Sequence, residues 1–162
     1  MTSRVRPLGI CGLINEELTG FRENIMQDVV SYLRGIGLTP SPQRVAIYDF
    51  LQKNAIHPTV DTIYNAVIQD LPSISRTTVY NTVKRLAEAG AIQEVIIEDG
   101  ELRYDADMSD HGHFKCMACG KVYDLFPPEN TPLVSQIHGL PEGFTVKRLH
   151  LCCRGYCKDC SK

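Results

Sequence analysis

The run from Arg103 to Asp124 interleaves two kinds of metal ligand. Asp105, His111, His113 and Asp124 offer carboxylate oxygen and imidazole nitrogen, while Cys116 and Cys119 offer thiolate. Thiolates suit zinc, and mixed imidazole and carboxylate sets suit iron or manganese. Two chemically different sets in one segment point to two metals with two tasks. A second Cys-x-x-Cys pair, Cys157 and Cys160, lies further along the chain. Structural zinc takes four ligands in a closed tetrahedron, and two such pairs deliver two thiolates each from tight turns, with Gly120 after the first. The gap between the pairs exceeds that of a compact zinc ribbon, so this metal would tie distant strands together. The competing reading is four unrelated thiols or a redox pair; in a reduced compartment, pairs at this spacing more often hold metal.

His111 and His113 alternate along an extended segment, which puts both imidazoles on one side. Alone they would read as a solvated surface pair. Asp105 and Asp124 flank them, and His57 adds a third imidazole from a loop upstream. The case for a second metal site rests on that combination. Cys152 and Cys153 read differently, as small hydrophobes alternating within a buried strand. Cys11 has no spacing from which to argue a role.

These residues need elements to hold them. With 162 residues, 43% of them hydrophobic, the chain can form one ordinary domain or two small ones with a real core. A net charge of −2 gives no overall attraction to nucleic acid or anionic membrane, so any DNA contact must come from a local patch. The longest apolar run is too short to span a bilayer. Arg4 and Arg6 precede a weakly apolar stretch that runs into Asn15-Glu16-Glu17, which is not a convincing signal peptide. Residues 1–19 are therefore expected to be a flexible extension of a cytoplasmic protein.

Phe21, Ile25, Val29, Leu33 and Ile36 recur at helical steps, predicting a helix from about Thr19 to Gly35. Ser41 as N-cap and Pro42 in the first turn start a second helix that reaches about Asn54. Val60, Ile63, Tyr64, Val67, Ile68 and Leu71 form one face of a third, ended by Pro72. Ser75 caps a fourth, Arg76 to Ala89, stopped by Gly90, with Val79, Val83 and Leu86 inward. Strands over Ala91–Ile97 and Leu102–Tyr104 follow, joined by a hairpin turn at Glu98–Glu101. The last three of these helices and the hairpin make a winged helix-turn-helix, whose last helix enters the DNA major groove. Beyond Asp105 the pattern predicts strands at Phe114–Cys116, Lys121–Phe126 and Phe144–Cys153, with a short helix at Leu133–His138. The fold class is α+β, with a domain boundary near Asp105–Ser109.

The outer face of the fourth helix presents Arg76, Lys84 and Arg85 for phosphates and Thr77, Tyr80 and Asn81 near bases. Residues 1–100 hold more acidic than basic side chains, which counts against strong nonspecific binding.

Thr39-Pro40-Ser41-Pro42-Gln43-Arg44, His57-Pro58-Thr59, Ser75 to Val83, Arg103-Tyr104-Asp105, Ser109 to His113, the first Cys pair with Gly120-Lys121-Val122-Tyr123-Asp124, and Gly155 to Cys160 together resemble the ferric uptake regulator (Fur) family over about residues 20–162. The resemblance implies a winged-helix DNA-binding domain (20–104) and an α/β dimerisation and metal-binding domain (105–162). It implies a homodimer that reads an AT-rich inverted repeat in double-stranded DNA. The short apolar runs predict no membrane association, and with no Ser-His-Asp, Cys-His or phosphate-cradling motif no enzymatic role is expected. Cys116, Cys119, Cys157 and Cys160 would hold structural Zn²⁺, one per subunit. His57, Asp105, His111, His113 and Asp124 would hold regulatory Fe²⁺ or Mn²⁺ between the domains. Iron-sensing members tend to carry Glu where Asp105 and Asp124 stand, and the all-Asp set is similar to the peroxide-sensing PerR branch. There, Fe²⁺ and peroxide oxidise a ligand histidine, here His57 or His111, and the repressor releases DNA. The longer His-rich run that serves a further metal in some members is interrupted by Asp110 and Gly112, so no third metal is expected. Two alternatives remain: an iron-sensing Fur-type repressor, and a zinc-stabilised metal- or redox-handling protein without DNA binding.

Overall fold

The computed structural model describes residues 27–98, 100–128, 131–147 and 149–161, without the side chains of Glu98 and Gln136. Expectations for the N-terminal extension, for the start of the first helix and for Cys11 fall outside these residues.

Among the described residues four helices come first: α1 (27–35), α2 (Pro42–Lys53), α3 (Val60–Val67) and α4 (Arg76–Glu88). Local chemistry sets their starts. The side chains of Ser41, Thr59 and Ser75 accept hydrogen bonds from the backbone N–H groups of Arg44, Thr62 and Thr78, satisfying donors that the first helical turn leaves open. The inward stripe of α4 is buried as expected, and Thr82 joins Val79, Val83 and Leu86. Val79, Val83 and Leu86 form one continuous core with Leu33, Ile47, Leu51, Ile63, Ile92 and Tyr104. Ser75→Ala is expected to lower the unfolding free energy by about 1 kcal/mol, read from the urea midpoint.

The hairpin pairs β1 (Gln93–Glu98) antiparallel to β2 (Glu101–Asp105). A separate sheet has the order β4-β3-β5, with β3 (Gly112–Cys116) antiparallel to β4 (Val122–Leu125) and parallel to β5 (Cys152–Gly155). In that register His113, Asp124 and Cys152 form one row across the sheet, and Lys115, Val122 and Arg154 the next, all on one face. This face meets the hairpin: Val122 clusters with Val95 and Ile97, and the Arg154 guanidinium donates to the Ile97 carbonyl. Gly112 lies tight against Leu151, the residue before β5, where an added Cβ would sit 2.9 Å from Leu151 Cδ2.

Three expectations for the second half change. The helix at Leu133–His138 is a single 3-10 turn, Leu133–Gln136, whose first N–H is capped by Asp110 at 2.8 Å. The strand over Phe144–Cys153 shrinks to Cys152–Gly155: among the described residues of the run before it, Leu151 reaches β3, its carbonyl accepting from the His113 N–H, but no strand lies beside 144–147, and a segment without a pairing neighbour is not a sheet strand. Cys152 and Cys153 are accordingly exposed in this chain rather than buried. Among the described residues no helix is long and apolar enough to cross a membrane.

Candidate metal centres

Each ligand of the mixed set comes from a different local device. His57 precedes α3 and adopts a left-handed backbone, φ 49°, an uncommon state for a residue with a side chain. Its carbonyl accepts from Arg103 Nη1 at 3.1 Å, and the next carbonyl, Pro58, accepts from the Tyr104 N–H at 3.1 Å. The entry of α3 is thus stitched to β2. Asp105 ends β2 and starts a ladder of aspartate turns: Asp105 Oδ1 accepts from the Asp107 N–H (2.9 Å), and Asp107 Oδ1 from the Ser109 N–H (2.8 Å). This ladder shapes the link to β3, where His113 lies beside Asp124 of β4.

The five side chains converge. One ligand atom from each of His57, Asp105, His111, His113 and Asp124 lies within 4.8 Å of all the others. Nε2 of His57 is 2.8 Å from Asp124 Oδ1, and Nε2 of His111 is 3.0 Å from Asp105 Oδ2. The remaining His–Asp separations run from 3.6 to 4.0 Å. Bonds of about 2.1 Å to one centre put ligand atoms about 3 Å apart at right angles and about 4 Å apart when opposed, so the set has the span of one coordination polyhedron. The Nε2 atoms of all three histidines and Asp124 Oδ1 are buried without hydrogen-bond partners among the described residues, despite these short separations. Their lone pairs face a shared point rather than one another. His111 Nδ1 lies 3.1 Å from the Ser109 carbonyl. A carbonyl only accepts, so Nδ1 carries the proton and Nε2 keeps its lone pair for a cation. Burial by itself would raise the Asp105 pKa, but the His113 and His57 imidazoles and the Asp107 N–H outweigh it and hold the carboxyl well below its usual range. The donor chemistry fits Fe²⁺ or Mn²⁺.

The thiolate set is equally compact. The sulfurs of Cys116, Cys119, Cys157 and Cys160 all lie within 4.8 Å of one another, and Cys119 Sγ is 3.9 Å from Cys157 Sγ. Zinc–sulfur bonds of about 2.3 Å in a tetrahedron give about 3.8 Å. Gly120, at φ 70°, turns the chain after the first pair and returns its N–H to the Cys116 carbonyl. Backbone N–H groups of Cys119 and Cys157 pull the Cys116 thiol down to about 6, while hydrogen bonding to Cys157 pushes Cys160 up to about 12. Four close sulfurs that cannot all ionise together suit a divalent cation that displaces their protons.

Arg76, Thr77, Tyr80, Asn81, Lys84 and Arg85 are all exposed along α4. Arg76 is already engaged: its Nε lies 2.7 Å from Asp61 Oδ1 and its guanidinium stacks over Tyr64. Sequence reasoning missed Gln93, whose Nε2 donates to Asp105 Oδ2 (3.2 Å) and to the Asp107 carbonyl (2.6 Å). Counting the hairpin back from its turn points to Glu94 instead, because a register shift between Ile96 and Glu98 brings Gln93 opposite Asp105. It also missed Phe126, whose ring lies 5.2 Å from that of His111.

Comparison with known proteins agrees with this architecture. The chain is 35% identical over 137 residues to the peroxide operon regulator of Bacillus subtilis (strain 168), covering 85% of this chain and 94% of that protein. It is 35% identical over 138 residues to the peroxide-responsive repressor PerR of Staphylococcus saprophyticus, covering 85% of this chain and 93% of the relative. The fold matches that of the Helicobacter pylori ferric uptake regulator Fur with a TM-score of 0.65, at 21% identity over 86% of this chain and 93% of the other. With the ferric uptake regulator family profile matching residues 35–152 as well, the chain belongs to that family.

Proposed function

We propose that this protein is a metal-dependent, DNA-binding transcriptional repressor that senses peroxide. The reading is carried by the convergence of His57, from the helical half, with Asp105, His111, His113 and Asp124, from the link and the sheet. A cation held by all five joins two parts of the chain that otherwise meet through the hairpin, and so favours one angle of α4 to the sheet. In a homodimer only one such angle places both copies of α4 in the two half-sites of an inverted repeat. We assign residues 20–104 to the DNA-binding domain and 105–162 to the dimerisation domain. The operator is taken to be AT-rich, the compartment the cytoplasm, and the role regulatory rather than enzymatic. Cys116, Cys119, Cys157 and Cys160 hold structural Zn²⁺ in this scheme.

Peroxide sensing is supported by the named functions of the two bacterial relatives and by the all-aspartate carboxylate set. Ferrous iron bound at the five-residue cluster supplies the one-electron chemistry that converts peroxide into an oxidant able to add oxygen to a nearby imidazole. The chain's own contribution is placement. His57 and His111 make the closest contacts to the two carboxylates, and both imidazoles are almost wholly buried. An oxidised ring loses the lone-pair geometry that a ligand needs. Loss of either ring opens the five-ligand set that ties the helical half to the sheet.

The test uses the full chain. A gel shift with AT-rich inverted repeats is expected to appear with Mn²⁺ and to vanish with chelator. The Fe²⁺-loaded protein, given stoichiometric peroxide, is expected to gain one oxygen on the His57 or His111 tryptic peptide and to lose the shift. Absence of any metal-dependent shift excludes the repressor. A shift that survives peroxide, with unmodified histidines, indicates an iron-sensing repressor instead.

A further inference from the structure

Between the two metal centres runs a chain of ionic contacts that neither centre requires as a ligand. Arg103 Nη1 donates to the His57 carbonyl at 3.1 Å. Its Nη2 lies 2.8 Å from Glu101 Oε1, and the other oxygen, Oε2, lies 3.0 Å from Lys115 Nζ. Glu101 and Arg103 both belong to β2 of the hairpin. Lys115 belongs to β3, one residue from Cys116 and two from His113. The contacts thus start at the one ligand contributed by the helical half and end on the strand that carries ligands of both centres. Side-chain exposures are 17% for Arg103, 31% for Glu101 and 10% for Lys115. Such a sheltered network is less weakened by solvent and salt than a surface pair. The Lys115 ammonium also holds the Glu101 carboxyl below its ordinary value.

We infer that Glu101, Arg103 and Lys115 form an ionic latch that holds His57 and the zinc-bearing sheet at the separation the five-residue cluster needs. The inference rests on that cluster being the regulatory metal site. The three are positioning residues: none offers an atom to the cluster, and each acts through the backbone of a ligand or its strand. The His57 backbone is in an unfavourable region, so it stays there only while its surroundings insist. The Arg103 bond to its carbonyl supplies part of that insistence before any cation arrives. The latch makes metal binding a closing of preplaced ligands rather than a docking of free halves, and preorganisation of that kind raises affinity.

A charge swap tests it. Mn²⁺ affinity is measured on the zinc-loaded full chain from the free-Mn²⁺ electron paramagnetic resonance signal, for the wild type, Glu101→Lys, Lys115→Glu and the double variant. The latch predicts that both single substitutions weaken Mn²⁺ binding, by about 10- to 100-fold as for other supporting residues of metal sites. The double variant recovers only part of that loss, because the 101–115 pair is rebuilt with its charges exchanged while Arg103 still lacks its carboxylate partner. A simple field effect predicts opposite signs instead: Lys115→Glu adds negative charge near a cation site and tightens binding. Tighter binding in Lys115→Glu, or a double variant no better than the weaker single one with zinc content and circular dichroism unchanged, overturns the latch. Mn²⁺ binding by the wild type that His57→Ala leaves untouched overturns the cluster reading itself, a separate result.

Discussion

His57→Gly is expected to abolish metal-dependent DNA binding while leaving the fold as stable as the wild type or slightly more so. The two effects separate because His57 serves its ligand role from a backbone at φ 49°. Glycine adopts that conformation freely, so the substitution relieves local strain on the order of 1 kcal/mol. It also removes a buried imidazole both of whose nitrogens lack hydrogen-bond partners among the described residues. What is lost is one of five ligands and the only one from the helical half. Mn²⁺ affinity is expected to fall by at least about 100-fold, since even outer-shell partners are worth about 10- to 100-fold. Zinc content is expected to stay at one per chain, because the four sulfurs lie in a separate cluster. Isothermal titration with Mn²⁺, zinc analysis and urea unfolding on one preparation read all three. A variant that loses stability along with metal binding would make His57 a core residue and not a ligand held under strain.

The same residue shows what the sequence can and cannot disclose. His57 was visible as a third imidazole in a loop, because residue type and loop chemistry are local signals. Its left-handed backbone was not visible: a histidine there has no sequence signature, and the conformation is held by Arg103, far along the chain. Helices α2 and α4 were legible nearly to the residue, since caps and apolar spacing act within one turn. The two ligand sets were legible because thiolate, imidazole and carboxylate announce their chemistry by type. The segment at 144–151 was not, because its β-forming residues state a preference that only a neighbouring strand can satisfy. Gln93, Glu101 and Lys115 escaped for a related reason. They are ordinary polar residues whose roles arise from which strand lies opposite, and that is fixed by the fold as a whole.

The two centres are of unequal rank. The helical half has its own core and does not draw on the sulfur cluster for burial. The sheet has little: its buried apolar contact is Val122 against Val95 and Ile97, with Leu133 and Cys116 also buried. A three-stranded sheet with so small a core needs a staple, as small scaffolds generally do. Zinc held by the four cysteines would supply it, by joining the turn after β3 to the turn after β5.

Cys119→Ser and Cys160→Ser are each therefore expected to cost the second half of the chain its structure. Structural zinc contributes on the order of 10 kcal/mol, comparable to the whole stability of about 5–15 kcal/mol typical of a domain. Zinc content is expected to fall from one per chain to near zero. Limited trypsin digestion is expected to cut at Lys115, Lys121 and Lys158 while α2 to α4 stay protected and most of the helical circular dichroism remains. Mn²⁺ binding is expected to vanish too, although all five of its ligands are still present. The reason is geometric: His113 and Cys116 lie on the same strand, β3, and Asp124 reaches the cluster only through the pairing of β4 with β3. The dependence runs one way. Removing His57 leaves zinc bound, whereas removing a zinc cysteine removes both metals. A cysteine variant that loses zinc yet keeps Mn²⁺ binding and trypsin resistance would show that the sheet holds the sensing site without its staple.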